Sequence, residues 1–235
     1  MTSSPEARPR VLVLAGRGRY EDPWHDHAAT SHLLARLFET HGLEATVASL
    51  FPSTAELIAA RTHDLLVVNG GTGRVDPEFD GTDEDWQPFH RALHDHVFSG
   101  APLLAHHQGI NAFLDDPAWP RIIGGRWVRG TTYHPPRSPA LFRVVPGAHP
   151  LTEGLADIPV DDERYTLLAP EDGVVVTTTQ LEAGVEHPTS WVNTAGGVRT
   201  VYDSLGHDAR AFESPERVAL LLHEVNWLLG RPLDA

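Results

Sequence analysis

The sequence has no cysteine among its 235 residues. This absence excludes disulfides, a thiolate nucleophile and any sulfur-ligated metal. Long apolar runs are also missing, because none approaches the roughly 20 residues that span a bilayer. The first ten residues, MTSSPEARPR, lack the apolar segment of a secretory signal. We therefore expect a cytoplasmic protein with no membrane partner.

Basic residues are scarce. Lysine and arginine number 18 against 32 aspartates and glutamates, for a net charge of −14 with histidine neutral. An acidic protein repels phosphate backbones, which argues against nucleic acid as a partner. Hydrophobic residues make up 41% and charged residues 21%, an ordinary globular balance. Histidine is abundant at 15 residues, so the histidine positions need attention.

The first half alternates buried strands with amphipathic helices. Short apolar strands are predicted at 10–16, 44–48, 64–69 and 101–105, and helices at 25–41, 53–56, 84–98 and 109–114. This β-α alternation is typical of a doubly wound parallel sheet, a flavodoxin-like three-layer α/β fold with strand order near 2-1-3-4.

The second half is less regular. Residues 115–140 contain several prolines and glycines and are predicted to be mostly loop. Strands are predicted at 141–145, 173–178 and 197–202, and a final helix at 215–229. With no internal repeat or linker, we expect one domain over 10–231, preceded by a disordered or extended tail over 1–9.

Polar residues follow several predicted strands where each strand ends. In open α/β sheets, ligands bind outside these carboxyl ends. The candidates are Tyr20, His25 and His27 after the first strand, Asn69 and Gly71 after the third, His106 and His107 after the fourth, and His207 after the strand at 197–202. Each has a plain structural alternative as a solvated or core histidine or a flexible turn, but their number favours one site.

Four motifs resemble the ThuA-like (trehalose utilisation) family: Leu104-Ala105-His106-His107-Gln108-Gly109, His149-Pro150-Leu151-Thr152-Glu153-Gly154-Leu155, Asp162-Glu163-Arg164-Tyr165 and Ser204-Leu205-Gly206-His207-Asp208. The resemblance runs from about Val11 to Gly230. It implies the class I glutamine amidotransferase-like fold, with His107 at the position of the amidotransferase cysteine. Without a thiol the chain is not a glutaminase by that mechanism. Two features depart from the family pattern, Gln108 and the basic loop around Arg17 and Arg19.

Family membership implies a role in sugar metabolism, often with oxidised (keto) sugars. By motif position, His107, His207 and Glu163 become candidate catalytic residues, with His134 and Tyr165 among the substrate-binding ones. A desolvated glutamate can have its pKa raised towards neutrality, so Glu163 with His107 or His207 could perform acid/base chemistry on a sugar. Aromatic side chains are available to stack on sugar faces: Trp24, Trp86, Trp127, Tyr165 and Trp191. The alternative is that most of these tryptophans belong to the core, which we expect for Trp191 and for Trp227.

The alternative is a non-catalytic sugar-binding or regulatory domain on the same fold. A carboxylate beside His107 and His207 favours the enzyme, whereas a pocket lined only with aromatics and amides favours the binder. In either case the expected partner is a small sugar ligand. The sequence leaves open whether the chain also forms a homo-oligomer.

A divalent metal, with zinc first, is a further option. His25 or His27 could converge with His107 and His207, with Glu163 as ligand or base. No HxxxH or HExxH spacing supports this, and acid/base histidines explain the same residues with fewer assumptions. The sequence therefore predicts no particular cofactor and leaves a divalent metal as the alternative.

Overall fold

The computed structural model describes residues 7–233, and most of its strands form one mixed sheet. Among these residues the sheet has nine strands in the order β2-β1-β3-β4-β11-β10-β9-β6-β7, and β5 and β8 form a separate pair. The strands are β1 Arg10–Ala15, β2 Glu44–Ser49, β3 Leu65–Asn69, β4 Pro102–His106, β5 Gly125–Arg126, β6 Ser138–Val144, β7 Ile158–Asp162, β8 Ala169–Pro170, β9 Val175–Glu182, β10 Val185–Asn193 and β11 Arg199–Asp203.

The parallel half of the sheet confirms the doubly wound, amidotransferase-like α/β prediction. Strands β2, β1, β3, β4 and β11 are all parallel, and the first four follow the predicted order 2-1-3-4. The residues of β1, β3 and β4 are buried almost throughout because helices cover both faces. The carboxyl ends of β1, β3, β4 and β11 therefore lie at one edge of the sheet.

The other half of the sheet is antiparallel, which the sequence did not predict. From β11, the strands β10, β9, β6 and β7 each pair antiparallel with the preceding one. Four reversals return β7 to the direction of β11, so its carboxyl end lies at the same edge. Neither β7 nor β10 was predicted. The predicted loop over 115–140 also contains a short helix and β5.

Helices pack on both faces of the sheet. They are α1 His27–Thr40, α2 Ala55–Ala59, α3 Pro77–Asp80, α4 Asp83–Phe98, α5 Trp119–Ile123 and α6 Pro215–Leu229. Leu12 and Leu14 of β1 share a core with α2, α4 and α5, whereas Val11 and Val13 share a second core with α1 and α6. Because successive side chains of β1 point to opposite faces of the sheet, this strand contributes to both cores.

Part of the predicted N-terminal tail is held against the domain. Of the predicted tail, residues 1–6 lie outside the described residues. The chain is anchored by Pro9, whose carbonyl accepts a hydrogen bond from the backbone N–H of Glu44 at 2.9 Å. Between residues 7 and 233, no helix combines the length and the apolar character needed to cross a membrane.

A buried charge cluster under α6 makes stability depend on pH. Arg217 pairs with Asp203 at 2.6 Å, and both side chains are fully buried. Glu224 is also fully buried. Burial, together with the neighbouring carboxylate of Asp203, raises the pKa of Glu224 well above its usual range. A raised folded-state pKa means that stability is lost as pH rises above the unfolded value of about 4.3.

Glu224→Gln copies the neutral acid at nearly the same volume. We expect it to melt close to wild type at pH 5 and at a higher temperature than wild type at pH 8. Thermal unfolding at both pH values measures this, with the exposed Glu39→Gln as the matched control. A stability difference that does not change with pH would contradict the assignment.

Candidate active site

Four side chains from four strand ends converge at one edge of the sheet. His25 follows β1, His107 follows β4, Glu163 follows β7 and His207 follows β11. One nitrogen or oxygen from each lies within 4.8 Å of the corresponding atom of every other. The sequence placed the three histidines at strand ends, and the unpredicted β7 adds the carboxylate.

His107 occupies a strained turn directly after β4. Its φ is 47°, in the left-handed region that non-glycine residues rarely adopt, and such outliers cluster at functional sites. Its Nδ1 donates to the carbonyl of Ser204 at 2.6 Å, so Nε2 points into the pocket without a proton. The hydroxyl of Tyr165 contacts this Nε2 at 3.0 Å. Burial lowers the pKa of His107 to about 4, so the ring is neutral near pH 7.

His25 is held by an aspartate from its own loop. Its Nδ1 lies 2.7 and 2.9 Å from the two carboxylate oxygens of Asp22, which also accept the backbone N–H of Trp24. Burial lowers the pKa of His25, but the carboxylates of Asp22 and Glu163 raise it to about 9. His25 is therefore an imidazolium near pH 7.

Glu163 lies at the centre of the cluster and is buried. Its Oε2 lies 3.6 Å from His107 Nε2 and 3.8 Å from His25 Nε2. Its Oε1 lies 3.3 Å from His207 Nδ1 and 3.6 Å from His134 Nδ1. Burial alone would raise the pKa of Glu163, but the contacts with the histidines lower it well below its usual range. The expectation of a raised pKa was therefore wrong, because charge outweighs desolvation here.

Asp162 ties the two halves of the site together. This fully buried carboxylate accepts the backbone N–H groups of Glu163 at 2.8 Å, Gly206 at 2.6 Å and His207 at 3.1 Å. Burial raises its pKa to about 6, although these three donors act in the opposite direction. Asp162 thereby fixes the relative position of the β7 end and the loop after β11.

Three members of the cluster, His25, Glu163 and His207, line a cavity of about 420 Å³, and the buried His107 contacts them from outside its lining. Its lining consists of Trp24, His25, Gln108, His134, Glu163 and His207. Trp24 is 80% exposed at the rim, where an indole can stack on a flat apolar face. Trp86 and Trp191 are core residues instead. Trp127 packs edge-on against Tyr165, with ring centroids 5.0 Å apart.

Three sequence candidates lie away from this cavity. The Tyr20 hydroxyl donates a hydrogen bond to the Asp115 carboxylate, and Tyr20 lines a different cleft of about 370 Å³. The Asn69 amide is used by the first turn of α1, where it donates to hydroxyls at 2.8 and 2.9 Å. His106, the last residue of β4, does not line the cavity, and its ring stacks on Phe212 with centroids 5.9 Å apart.

Two further candidates, His27 and Gly71, lie next to Asp22, the partner of His25, and do not line the cavity. The His27 ring stacks on His25 with centroids 5.8 Å apart, and its Nε2 lies 3.7 Å from Asp22. At Gly71 a Cβ would come within 2.8 Å of the Asp22 carboxylate, so only glycine lets Asp22 approach. The sequence missed the roles of Asp22 and Asp162, although each lies within three residues of a named candidate.

The sheet order is that of an α/β protein with the class I glutamine amidotransferase-like fold. The sequence profile of the ThuA family, described as trehalose utilisation, matches residues 10–228. The chain therefore belongs to the ThuA family. No curated protein sequence matches it.

Solved structures agree with the fold. A ThuA-like protein from Parabacteroides merdae is 16% identical, with 96% of this chain and 91% of that chain covered and a TM-score of 0.74. A ThuA-like protein from Bacteroides uniformis is 15% identical, with 97% and 94% covered and a TM-score of 0.74. A glutamine amidotransferase from Thermotoga maritima is 10% identical, with 95% and 99% covered and a TM-score of 0.57.

Proposed function

We propose that this protein catalyses proton transfer next to the carbonyl group of an oxidised (keto) sugar. The observation that carries the proposal is the buried, ionised Glu163 in contact with the pocket histidines. A carboxylate in this position favours an acid/base site over a pocket that only binds. The family's description as trehalose utilisation supports a carbohydrate substrate. The exposed Trp24 at the rim offers a stacking surface for a sugar ring.

The step needs one base and one acid. Glu163 takes the proton from the carbon next to the carbonyl, and the C–H electron pair forms a carbon–carbon double bond. The carbonyl π pair moves to oxygen, which receives the proton of the His25 imidazolium. The resulting enol either takes a proton at the former carbonyl carbon while its hydroxyl neighbour becomes the new carbonyl, an isomerisation, or returns its hydroxyl proton to His25. In the second case the carbonyl re-forms, the double bond shifts and a substituent on the next carbon leaves with its electron pair, an elimination. Loss of the charge on His25 during the step removes part of what lowers the pKa of Glu163, so the base strengthens as the acid reacts.

A panel of keto and unoxidised mono- and disaccharides tests this proposal. In D₂O, proton NMR should show wild type exchanging the proton next to the carbonyl of a keto sugar and leaving unoxidised sugars unchanged. His107→Ala should lose most of this activity because His107 holds the Nε2 of His25 in place. The exposed His32→Ala is the matched control and should behave as wild type.

The same experiment separates the enzyme from the alternative. Keto sugars that bind wild type saturably but never exchange or change would identify a non-catalytic sugar-binding or regulatory domain and would end the proposal. The cytoplasmic location and a homo-oligomeric state remain predictions.

A further inference from the structure

The hydrogen bonds of His25 and His107 determine which of their ring nitrogens carry protons. The Nδ1 of His107 faces a carbonyl and the Nδ1 of His25 faces a carboxylate, and both of these groups only accept hydrogen bonds. Each Nδ1 therefore carries a proton, and the two Nε2 atoms face each other 3.0 Å apart. At that distance a single positive charge lies between them, either the second proton of the His25 imidazolium or a bound cation.

We propose that the pocket binds a divalent transition-metal cation, zinc in the first place, through His25 Nε2, His107 Nε2 and His207 Nδ1. Imidazole nitrogen suits zinc, and three protein ligands with one open position are typical of catalytic zinc. A bound ion takes the place of the second His25 proton as the positive charge between the two Nε2 atoms. Zinc binding itself does not depend on the proposed function; only the ion's role in polarising a sugar carbonyl rests on it.

The spacing of His25 and His107 fits such an ion. Zinc–nitrogen bonds of about 2.0–2.1 Å in a tetrahedral site place neighbouring ligand atoms about 3.3 Å apart. The two Nε2 atoms are 3.0 Å apart, and a nitrogen of His207 lies within 4.8 Å of the ligand atom of each. Among the described residues, two buried atoms aimed into the cluster, His207 Nδ1 and Glu163 Oε2, have no hydrogen-bond partner.

The second layer has the form that metal sites use. Ligating histidines usually donate their other N–H to a carboxylate or a carbonyl, which fixes the ring and raises its basicity. Asp22 does this for His25, and the Ser204 carbonyl does it for His107. The hydroxyl of Tyr165 also contacts His107 Nε2, but its hydrogen can rotate away. No other group of three or more such side chains was found among residues 7–233.

We assign Glu163 a place beside the ion. Its two oxygens approach different histidines, Oε2 towards His25 and His107 and Oε1 towards His207. Three histidine ligands leave the fourth position open for substrate, and the ionised carboxylate balances part of the charge. The ion would then take over from the His25 proton in polarising the carbonyl, while Glu163 remains the base.

Calorimetric titration with zinc chloride, without any sugar, tests the site. The protein is produced without an affinity tag and stripped with a chelator. Wild type should bind one tight zinc per chain, and His107→Ala and His207→Ala should each weaken that site by about 100-fold or more. Asp22→Ala, which removes only the second layer, should weaken it by about 10- to 100-fold. His32→Ala controls for weak surface histidine sites and should retain the tight site.

Two outcomes would overturn the metal site. One is wild type with no saturable tight zinc, and the other is a tight site that His107→Ala and His207→Ala both retain in folded protein, as judged by circular dichroism. Failure of the two proposals can be told apart. Zinc binding without any change to keto sugars leaves the metal site and ends the proposed function. Turnover that persists in chelator, with no tight zinc, supports the proposed function and ends the metal site.

Discussion

Replacement of Glu163 by glutamine is expected to reduce turnover of a keto sugar by about 100- to 10,000-fold, the usual contribution of a positioned general base. Glutamine keeps the shape of the side chain and can still contact the histidines through its amide. It cannot take a proton from carbon. Sugar binding and zinc affinity should change far less than turnover, because the stacking surface at Trp24 and the three histidines stay in place.

The measurement is solvent-deuterium exchange into the keto sugar, at saturating and at low sugar concentration, for wild type and Glu163→Gln. The exposed Glu39→Gln removes a carboxylate of the same kind outside the site and should behave as wild type. If Glu163→Gln turns over within tenfold of wild type, another group is the base and the assignment of Glu163 is lost.

The second large effect is expected on stability. Asp162→Ala removes the acceptor of three backbone N–H groups, of which two belong to buried residues, Glu163 and Gly206. An unsatisfied buried donor costs about 1–3 kcal/mol, so the free energy of unfolding should fall by about 3 kcal/mol or more. The end of β7 should also detach from the loop after β11, which would move Glu163 and His207 out of register and weaken both zinc binding and turnover.

Denaturant unfolding measures the first effect and zinc titration the second. Asp162→Asn keeps the volume and one acceptor oxygen, so its stability should lie between wild type and Asp162→Ala, and it keeps the test open if the alanine variant does not fold. A variant that loses stability but binds zinc with wild-type affinity would show that Asp162 supports the fold without positioning the site.

The turn that follows β4 sets the position of His107 in the site. The turn after β4 places its side chain at the carboxyl edge of the sheet with φ of 47°, which costs backbone strain. In the absence of cysteine, no thiolate can serve there. The neutral imidazole of His107 instead offers a lone pair, which can accept a proton from His25 or bind an ion.

The sequence by itself determined the parallel half of the fold. Apolar runs such as Val11–Leu14 can only be strands covered on both faces, and each is followed by a helix, so order and direction follow from local pattern. It also placed His25, His107 and His207 at strand ends, because parallel strands bring their carboxyl ends to one edge. Glu163 was named only through a family resemblance.

The tertiary structure alone decided which of these side chains meet. The antiparallel strands β10, β9, β6 and β7 depend on pairings between distant segments, which period and propensity do not encode. Only that long-range pairing brings Asp162 and Glu163 to the loop after β11. It also set the protonation of the site, since burial raises the pKa of Glu163 but the contacts with the histidines outweigh it and lower that pKa.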